Sequence, residues 1–600
     1  MPNSPPSDRA EALSASLLAL IKTTEEEEAV QQASIAAVLP RHRKSAVNLA
    51  HYLGLRKRDI HRLQLDLAAI GLSSLGRCEG HVHDTLLRLC AWLAGECGKA
   101  MAAGSDERLD WAKAEKILHA NTQALFGPHP PDRHVYIMVT APDAAEADVA
   151  WADGVLEGGA DLLRINGAHE SPAEWAAIAA TFKSRAAALR KEGRVFVDLP
   201  GPKLRTEIRQ MERGVLHLPR RKDRMGRTVA PTQLQLVAQY ETGPQLPVPA
   251  EWLPQLEAGD IITITDAGGR DRALTVRASG REKVRAECDR SLYVTPGLPL
   301  VWRRGGKQMG KDKVGMFPRQ PRELRVAIGD AFVLNENGLS TDPEVRALAF
   351  PEPKLLAQVQ PGERVILDDG KLVAVAEAMS PEGLVCRVRQ VLKSPARLRS
   401  GKGIAFPDSA LSLGHLGPQD EAALQFALEH ADGVGVSFVA SAQDVALVGE
   451  RIKQAGKPGF GMILKLETRG AVSNLVGILF EALKYDPVGI MIARGDLAVE
   501  LSFERLAEMQ EELLWFGEAC HLPVVWATQV LDSVAHSGLP TRAEVTDAAM
   551  SMRAECVMLN KGPYIAAATK MLANIIHKME AHQYKKRSLY RQLAVARRPG

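Results

Sequence analysis

The sequence shows no excess of either charge: 75 lysines and arginines face 72 aspartates and glutamates, a net +3 over 600 residues. Without a broad basic field, nucleic acid is not expected as a main partner. It also lacks an apolar run long enough to span a bilayer, and the opening MPNSPPSDRAEALSASLLALIKTTEEEE has no basic stretch followed by an apolar core. A cytoplasmic protein with no membrane partner is the expectation. The seven cysteines (78, 90, 97, 288, 386, 520, 556) form no CxxC pair and have no histidine at metal-binding spacing. Disulfides and structural zinc are therefore not expected, and the odd count suits free thiols in a reducing compartment. What is present is apolar material, 46% of the chain, enough for several domains.

Residues 8–125 read as helical. Asn48, Leu49, Tyr52, Leu53, Ile60, Leu63, Leu67 and Ile70 recur with the helical period, and Gly71 and Gly76 punctuate them. This predicts a separate helical N-terminal extension over 1–130, closed by the proline-rich linker GPHPPDRH (127–134). From residue 134 short apolar runs alternate with helical stretches: HVYIMVTAP (134–142), DLLRIN (161–166), RVFVDLPGP (194–202), GVGVSFV (433–439), GMILKLE (461–467), GIMIARGDL (489–497), PVVWATQV (523–530) and CVMLNKG (556–562). Thr541 and Glu544 in TRAE form a capping-box pattern. Eight such units predict an α/β fold, a (β/α)8 TIM barrel over 131–206 and 401–585. Between strands three and four, residues 207–400 alternate apolar and polar residues around Asp/Asn-Gly turns, which predicts an inserted β-barrel-like lid domain. Three of its segments begin alike, GDIITI (259), GDAFVL (329) and GERVIL (362), a loose internal repetition. Residues 586–600 read as a basic C-terminal tail.

In such a barrel the residues that close each strand converge on one pocket. Here they are Arg164, Asn166, Asp198, Lys203, Arg205, Lys465, Glu467, Arg494, Asp496 and Thr528. A single lysine or arginine at a barrel rim is most simply a partnered ion, and the EEEE run at 25–28 is a solvated helix face. Ten polar residues ending five strands point instead to a charged site. Glu467 and Asp496, from adjacent strands, suit Mg2+, a hard cation that keeps waters and substrate oxygens in its shell. The surrounding cations suit a multiply charged anion, so the residues alone predict Mg2+-assisted chemistry on a phosphorylated or carboxylate substrate.

The blocks KLETRGAVSNL (465–475), GIMIARGDLAVE (489–500), VVWATQVLDS (524–533) and PTRAEVTDAA (540–549) resemble those of the pyruvate kinase family. RIN (164–166), DLPGPKLRT (198–206), VILDDG (365–370) and GKGIAFPD (401–408) extend the resemblance. It implies a barrel with a β lid inserted after strand three, and phosphoryl transfer from phosphoenolpyruvate to ADP giving pyruvate and ATP, a glycolytic step. It further implies Glu467 and Asp496 as ligands of Mg2+ or Mn2+, Lys465 as the cation beside the phosphoryl group, and Arg164 and Arg205 as grips on phosphoryl oxygens. Thr528 would help deliver a proton, Asn166, Arg494 and Gly495 would line the substrate site, and His169, Lys402 and Asp369 would serve nucleotide contact and lid closure. A homo-oligomer is expected.

Several positions depart from the family pattern. Many members need K+ and carry glutamate where Lys203 stands; a fixed ammonium there implies K+ independence, and Ala168 replaces a serine expected to help hold the ion. MLNKGPY (558–564) replaces MLSGETA, Leu199 and Pro200 replace a threonine and a lysine, and Ala498 replaces a glycine. The chain ends about where a family C-terminal domain would begin, which implies no regulation by sugar phosphates. Two other readings stand beside the first: a Mg2+-dependent lyase or aldolase acting on a pyruvate enolate, and a catalytically silent metabolite-sensing homologue.

Overall fold

In the computed structural model, which describes residues 6–96, 108–223, 225, 227–278, 284–342, 344–409, 411, 414 and 416–592, the eight apolar runs form a closed parallel barrel. Its strands, numbered one to eight in chain order, are Tyr136–Thr140, Leu162–Asn166, Arg194–Asp198, Gly433–Val436, Gly461–Leu466, Val488–Ala493, Val524–Ala527 and Cys556–Leu559. Strands buried on both faces read as unbroken β-branched and aliphatic runs, which is why the sequence marks them so clearly. The expected TIM barrel is thus present, and the anticipated capping box at Thr541 and Glu544 opens the helix Arg542–Ser551. Among the described residues no helix is long and apolar enough to cross a membrane. The six described cysteines are buried and free, and Cys97 lies outside the described residues.

The chain divides into two compact units, residues 1–204 with 404–600, and residues 205–403. The helical N-terminal segment therefore does not stand apart from the barrel: it belongs to the same unit. The helix Trp111–Phe126 explains part of this. Its last residues, Leu125 and Phe126, are buried in one cluster with Tyr136, Met138, Phe196, Ile463 and Met491 from inside the barrel. Two glycines near the starts of strands five and six make room for the plug, since a methyl group on Gly461 or Gly489 would stand 2.6 Å from a Leu125 methyl carbon. Arg194, at the start of strand three, caps the helix by donating to the carbonyls of Ala124 (2.7 Å) and Leu125 (3.0 Å), which have no partner within the helix. Leu125→Ala is expected to lower stability by about 2–5 kcal/mol, the usual cost of a cavity of this size; a denaturant melt checks it.

Further buried polar contacts tie the earlier helices to the barrel. The Asn48 side chain donates to the carbonyls of Glu79 (2.7 Å) and Ala519 (2.8 Å) and accepts from the Val82 amide (3.0 Å). The stretch read as the start of a basic tail is ordered into a contact: Gln583–Tyr584 pairs with Arg587–Ser588, Lys585 meets Glu555, and Lys586 meets Glu79. Residues 593–600 of that tail, and 97–107 of the helical segment, lie outside the described residues.

The second unit holds a seven-stranded sheet, built from segments between Thr232 and Lys313, with its own apolar core including Leu234, Ile262, Val276, Ala286 and Trp302. A second sheet includes Ala331–Asn335, Arg364–Leu367, Leu372–Ser380 and Gly383–Val391. The three similar sequence segments prove to be one structural device used three times. Gly259, Gly329 and Gly362 all take left-handed backbone angles (φ +96°, +90° and +95°) that favour glycine. The carboxylate after each accepts from the amide three residues earlier: Asp260 from Glu257 (3.0 Å), Asp330 from Ala327 (2.9 Å), Glu363 from Gln360 (2.9 Å). Each of these acids also offers its backbone carbonyl to a later strand, at Val276, Val388 and Ala376, at 2.9 Å in every case.

Candidate active site

The C-terminal ends of the barrel strands bring most of the sequence-predicted charged residues together. Asp198, closing strand three, is almost wholly buried and sits between two cations: Arg164 Nε donates to its Oδ2 at 2.8 Å, and Lys465 Nζ stands 3.2 Å from the same oxygen. Burial alone would raise the Asp198 carboxyl, but Arg164 and Lys465 outweigh it and hold it below the usual carboxylate range. Lys465, on strand five, is opposed by burial and by Arg164, yet Asp198 and Glu467 raise its pKa above the ordinary lysine value. It stays an ammonium in a place where an isolated one would be driven to neutrality.

Room for this cluster comes from strand four. Gly435 lies beside Asp198 in register, and a Cβ there would come within 2.1 Å of Asp198 Oδ1. Two residues on, Ser437 is buried and its Oγ accepts from Lys465 Nζ at 2.8 Å. Phe438 turns into the left-handed region (φ +56°) and aims its amide at Glu467 Oε1, 2.8 Å away. Glu467 lies 3.6 Å from Lys465 Nζ, and its pKa is raised: burial and the nearby Asp496 outweigh the lysine.

Lys203 reaches across to Asp496, donating to Oδ1 at 2.8 Å, and its ammonium lies 5.8 Å from the centre of the Phe438 ring. On the next strands, Thr528 holds a left-handed conformation (φ +69°) that is costly for a β-branched residue. Its Oγ1 accepts from the Gly495 amide at 2.9 Å. Arg494 is turned away from the carboxylate cluster: it pairs with Asp547 (Nη2–Oδ2 2.9 Å), donates to the carbonyls of Ala527 and Thr528, and stacks 4.7 Å from the centre of the Trp526 ring.

The remaining candidates have contacts of their own. Asn166 accepts from the Ala168 amide at 3.3 Å within its own turn, and His169 is exposed on the same loop. Arg205, Lys402 and Asp369 belong to the second unit, where Arg205 donates to the Gly401 carbonyl (2.8 Å) and Lys402 pairs with Asp368 (3.1 Å). Three contributors went unread in the sequence. Ser437 and Thr140, the latter 3.3 Å from Arg164 Nη1, close strands four and one, so carrying the strand-end rule round every strand would have found them. Asp547 sits in the block PTRAEVTDAA, which the sequence marks as a helix start and a family resemblance but not as a site.

Could the cluster hold a divalent cation? Among the described residues no group of three or more His, Cys, Asp or Glu side chains is placed to hold a metal ion by itself. Two carboxylates just beyond neighbouring strands, Glu467 with its pKa raised chiefly by burial and Asp496 beside it, fit an ion that completes its shell with water and substrate oxygens.

Residues 310–568 match the profile of the pyruvate kinase barrel domain. Over these residues the barrel is similar to that of the pyruvate kinases. Among similar proteins are pyruvate kinase 2 of Synechocystis, 31% identical over 277 residues (45% of each chain), and the pyruvate kinase of Thermococcus litoralis, 33% identical over 281 residues (46% of this chain, 56% of that one). The pyruvate kinase of Mycobacterium tuberculosis is 37% identical over 226 residues, 36% of this chain and 46% of that one. The chain thus spans about half the length of the pyruvate kinases it matches. The matched residues begin after strand three; Arg164 and Asp198 lie before them and meet Lys465 through the barrel's closure.

Proposed function

We propose that the protein transfers the phosphoryl group of phosphoenolpyruvate to ADP, giving pyruvate and ATP, and that it does so without K+. The observation that carries this reading is the buried Lys465, held charged between Asp198, Glu467 and Ser437 at the mouth of a pyruvate kinase barrel. A compact ammonium fixed on three sides is suited to neutralise charge on a phosphoryl group in flight, at no cost in reorganisation. Arg164 is the second cation at that spot, and Asp198 orients both. Glu467 and Asp496 would hold Mg2+, which when bound supplies positive charge to substrate oxygens. Thr528 would pass a proton to the enolate carbon. Arg205, Lys402, Asp369 and His169 are proposed for phosphoryl and nucleotide contact on the family resemblance.

The charge count supports the K+ assignment. Three cations (Arg164, Lys203, Lys465) stand with three carboxylates (Asp198, Glu467, Asp496), so the cluster is neutral before substrate arrives. Glutamate at 203 would leave it two charges more negative and in need of a further cation. The test is ADP-dependent pyruvate formation with Mg2+, with tetramethylammonium or K+ as the sole monovalent cation. The wild type is expected to turn over equally in both. Lys203→Glu is expected to lose about tenfold or more without K+, equivalent to about 1.4 kcal/mol of barrel-site charge stabilisation, and to recover with it. Wild-type turnover that appears only with K+ would refute the role given to Lys203.

A further inference from the structure

Thr528 occupies a conformation that its own side chain disfavours, and one arginine bonds its backbone there. Arg494 donates to the Thr528 carbonyl through Nη2 and to the Ala527 carbonyl through Nε, bridging two successive peptides at the end of strand seven. That guanidinium is fixed in turn by both oxygens of Asp547 and by the face of Trp526. Asp547 lies within the helix Arg542–Ser551, whose start is fixed by its Thr541–Glu544 capping box. It makes no contact with Lys465, Glu467 or Asp198.

We propose that Asp547 is a positioning residue for the proton-delivery half of the reaction. By fixing Arg494 it holds Thr528 at φ +69°, so that Oγ1 accepts from the Gly495 amide. With that lone pair occupied, the hydroxyl proton points away from Gly495. The amide also faces the oxygen on which negative charge develops when the proton leaves. The step balances simply: the enolate carbon gains a proton and forms a C–H bond, the Thr528 O–H bond breaks, and water restores the hydroxyl proton. The inference rests on the proposed pyruvate-forming reaction, but it separates that reaction's two halves. Phosphoryl transfer uses the Lys465 cluster, and protonation uses the Asp547–Arg494–Thr528 chain.

The experiment compares two readouts in the full-length protein and in Asp547→Ala and Asp547→Asn. The first is exchange of the pyruvate methyl hydrogens with D2O in the presence of ATP and Mg2+. The second is ATP formation from phosphoenolpyruvate and ADP in a single turnover. Both variants are expected to slow exchange at least tenfold while single-turnover ATP formation changes less than threefold. Asp547→Asn, which keeps one acceptor for Arg494 and the side-chain size, guards against simple loss of fold. Exchange within twofold of wild type, or an equal fall in both readouts, would overturn the proposal. Should the wild type catalyse neither reaction, the functional reading fails, and the clamp is judged by the backbone 13C shifts of Thr528 in threonine-labelled protein. A shift toward ordinary strand values in Asp547→Asn supports the clamp, and an unmoved resonance overturns it.

Discussion

Lys465→Met is expected to lower pyruvate formation by about 10²–10³-fold, the range seen when one preorganised charge or donor at a developing oxyanion is removed. The size follows from burial. Lys465 touches Asp198, Glu467 and Ser437 together, so its removal takes the ammonium from Glu467, which keeps the like charge of Asp496 nearby, and from Asp198, which keeps Arg164. Breaking a buried ion network from one side costs about 3–5 kcal/mol, and part of this is expected to appear as lost stability. Lys465→Arg separates charge from shape: a planar guanidinium retains the charge but cannot occupy the same point between three partners. It is expected to recover stability without recovering turnover. Steady-state rates and thermal melts of both variants check this, and Lys465→Met within a few-fold of wild type would remove the lysine from the chemistry.

Gly435→Ala tests the same cluster without touching a charge. The added methyl would stand 2.1 Å from Asp198 Oδ1 and 3.0 Å from its Cγ, far inside contact distance. The carboxylate has to move, and both its cation contacts lengthen with it. Overpacking of this kind costs about 1–3 kcal/mol in stability. A displacement of about 1 Å in a site built on alignment is expected to lower turnover about 10²-fold. A crystal structure or melt showing an unstrained fold, together with unchanged turnover, would mean that the position of Asp198 does not matter.

Much of the barrel was legible because its strands are buried on both faces and so are written in unbroken apolar runs. Their ends were less so: RVFVDLPGP reads as one run, yet the strand stops at Asp198, and GIMIARGDL passes into the helix Arg494–Leu501. Charged strand-end residues stood out because charge is improbable in a barrel wall. Ser437 did not, since a serine carries no such contrast, and Asp547, one turn past the Thr541–Glu544 capping box, looks like any polar residue of a helix. The plug at Leu125 had no sequence signal, because a leucine on an apolar helix face looks the same whatever it packs against. The threefold Gly-Asp/Glu device was visible only as a loose repetition, since the bonds from its acids' carbonyls reach strands 13 to 58 residues on.

The most direct test of the central claim follows the fate of the phosphoryl group itself. Phosphoenolpyruvate, ADP and Mg2+ are incubated with the protein in K+-free buffer, and the reaction is observed by 31P NMR. The expected result is loss of the phosphoenolpyruvate resonance matched one for one by the ATP γ-phosphate, with Lys465→Met silent over the same period. Persistence of phosphoenolpyruvate, or its conversion to free phosphate with ADP unchanged, would contradict phosphoryl transfer at this cluster.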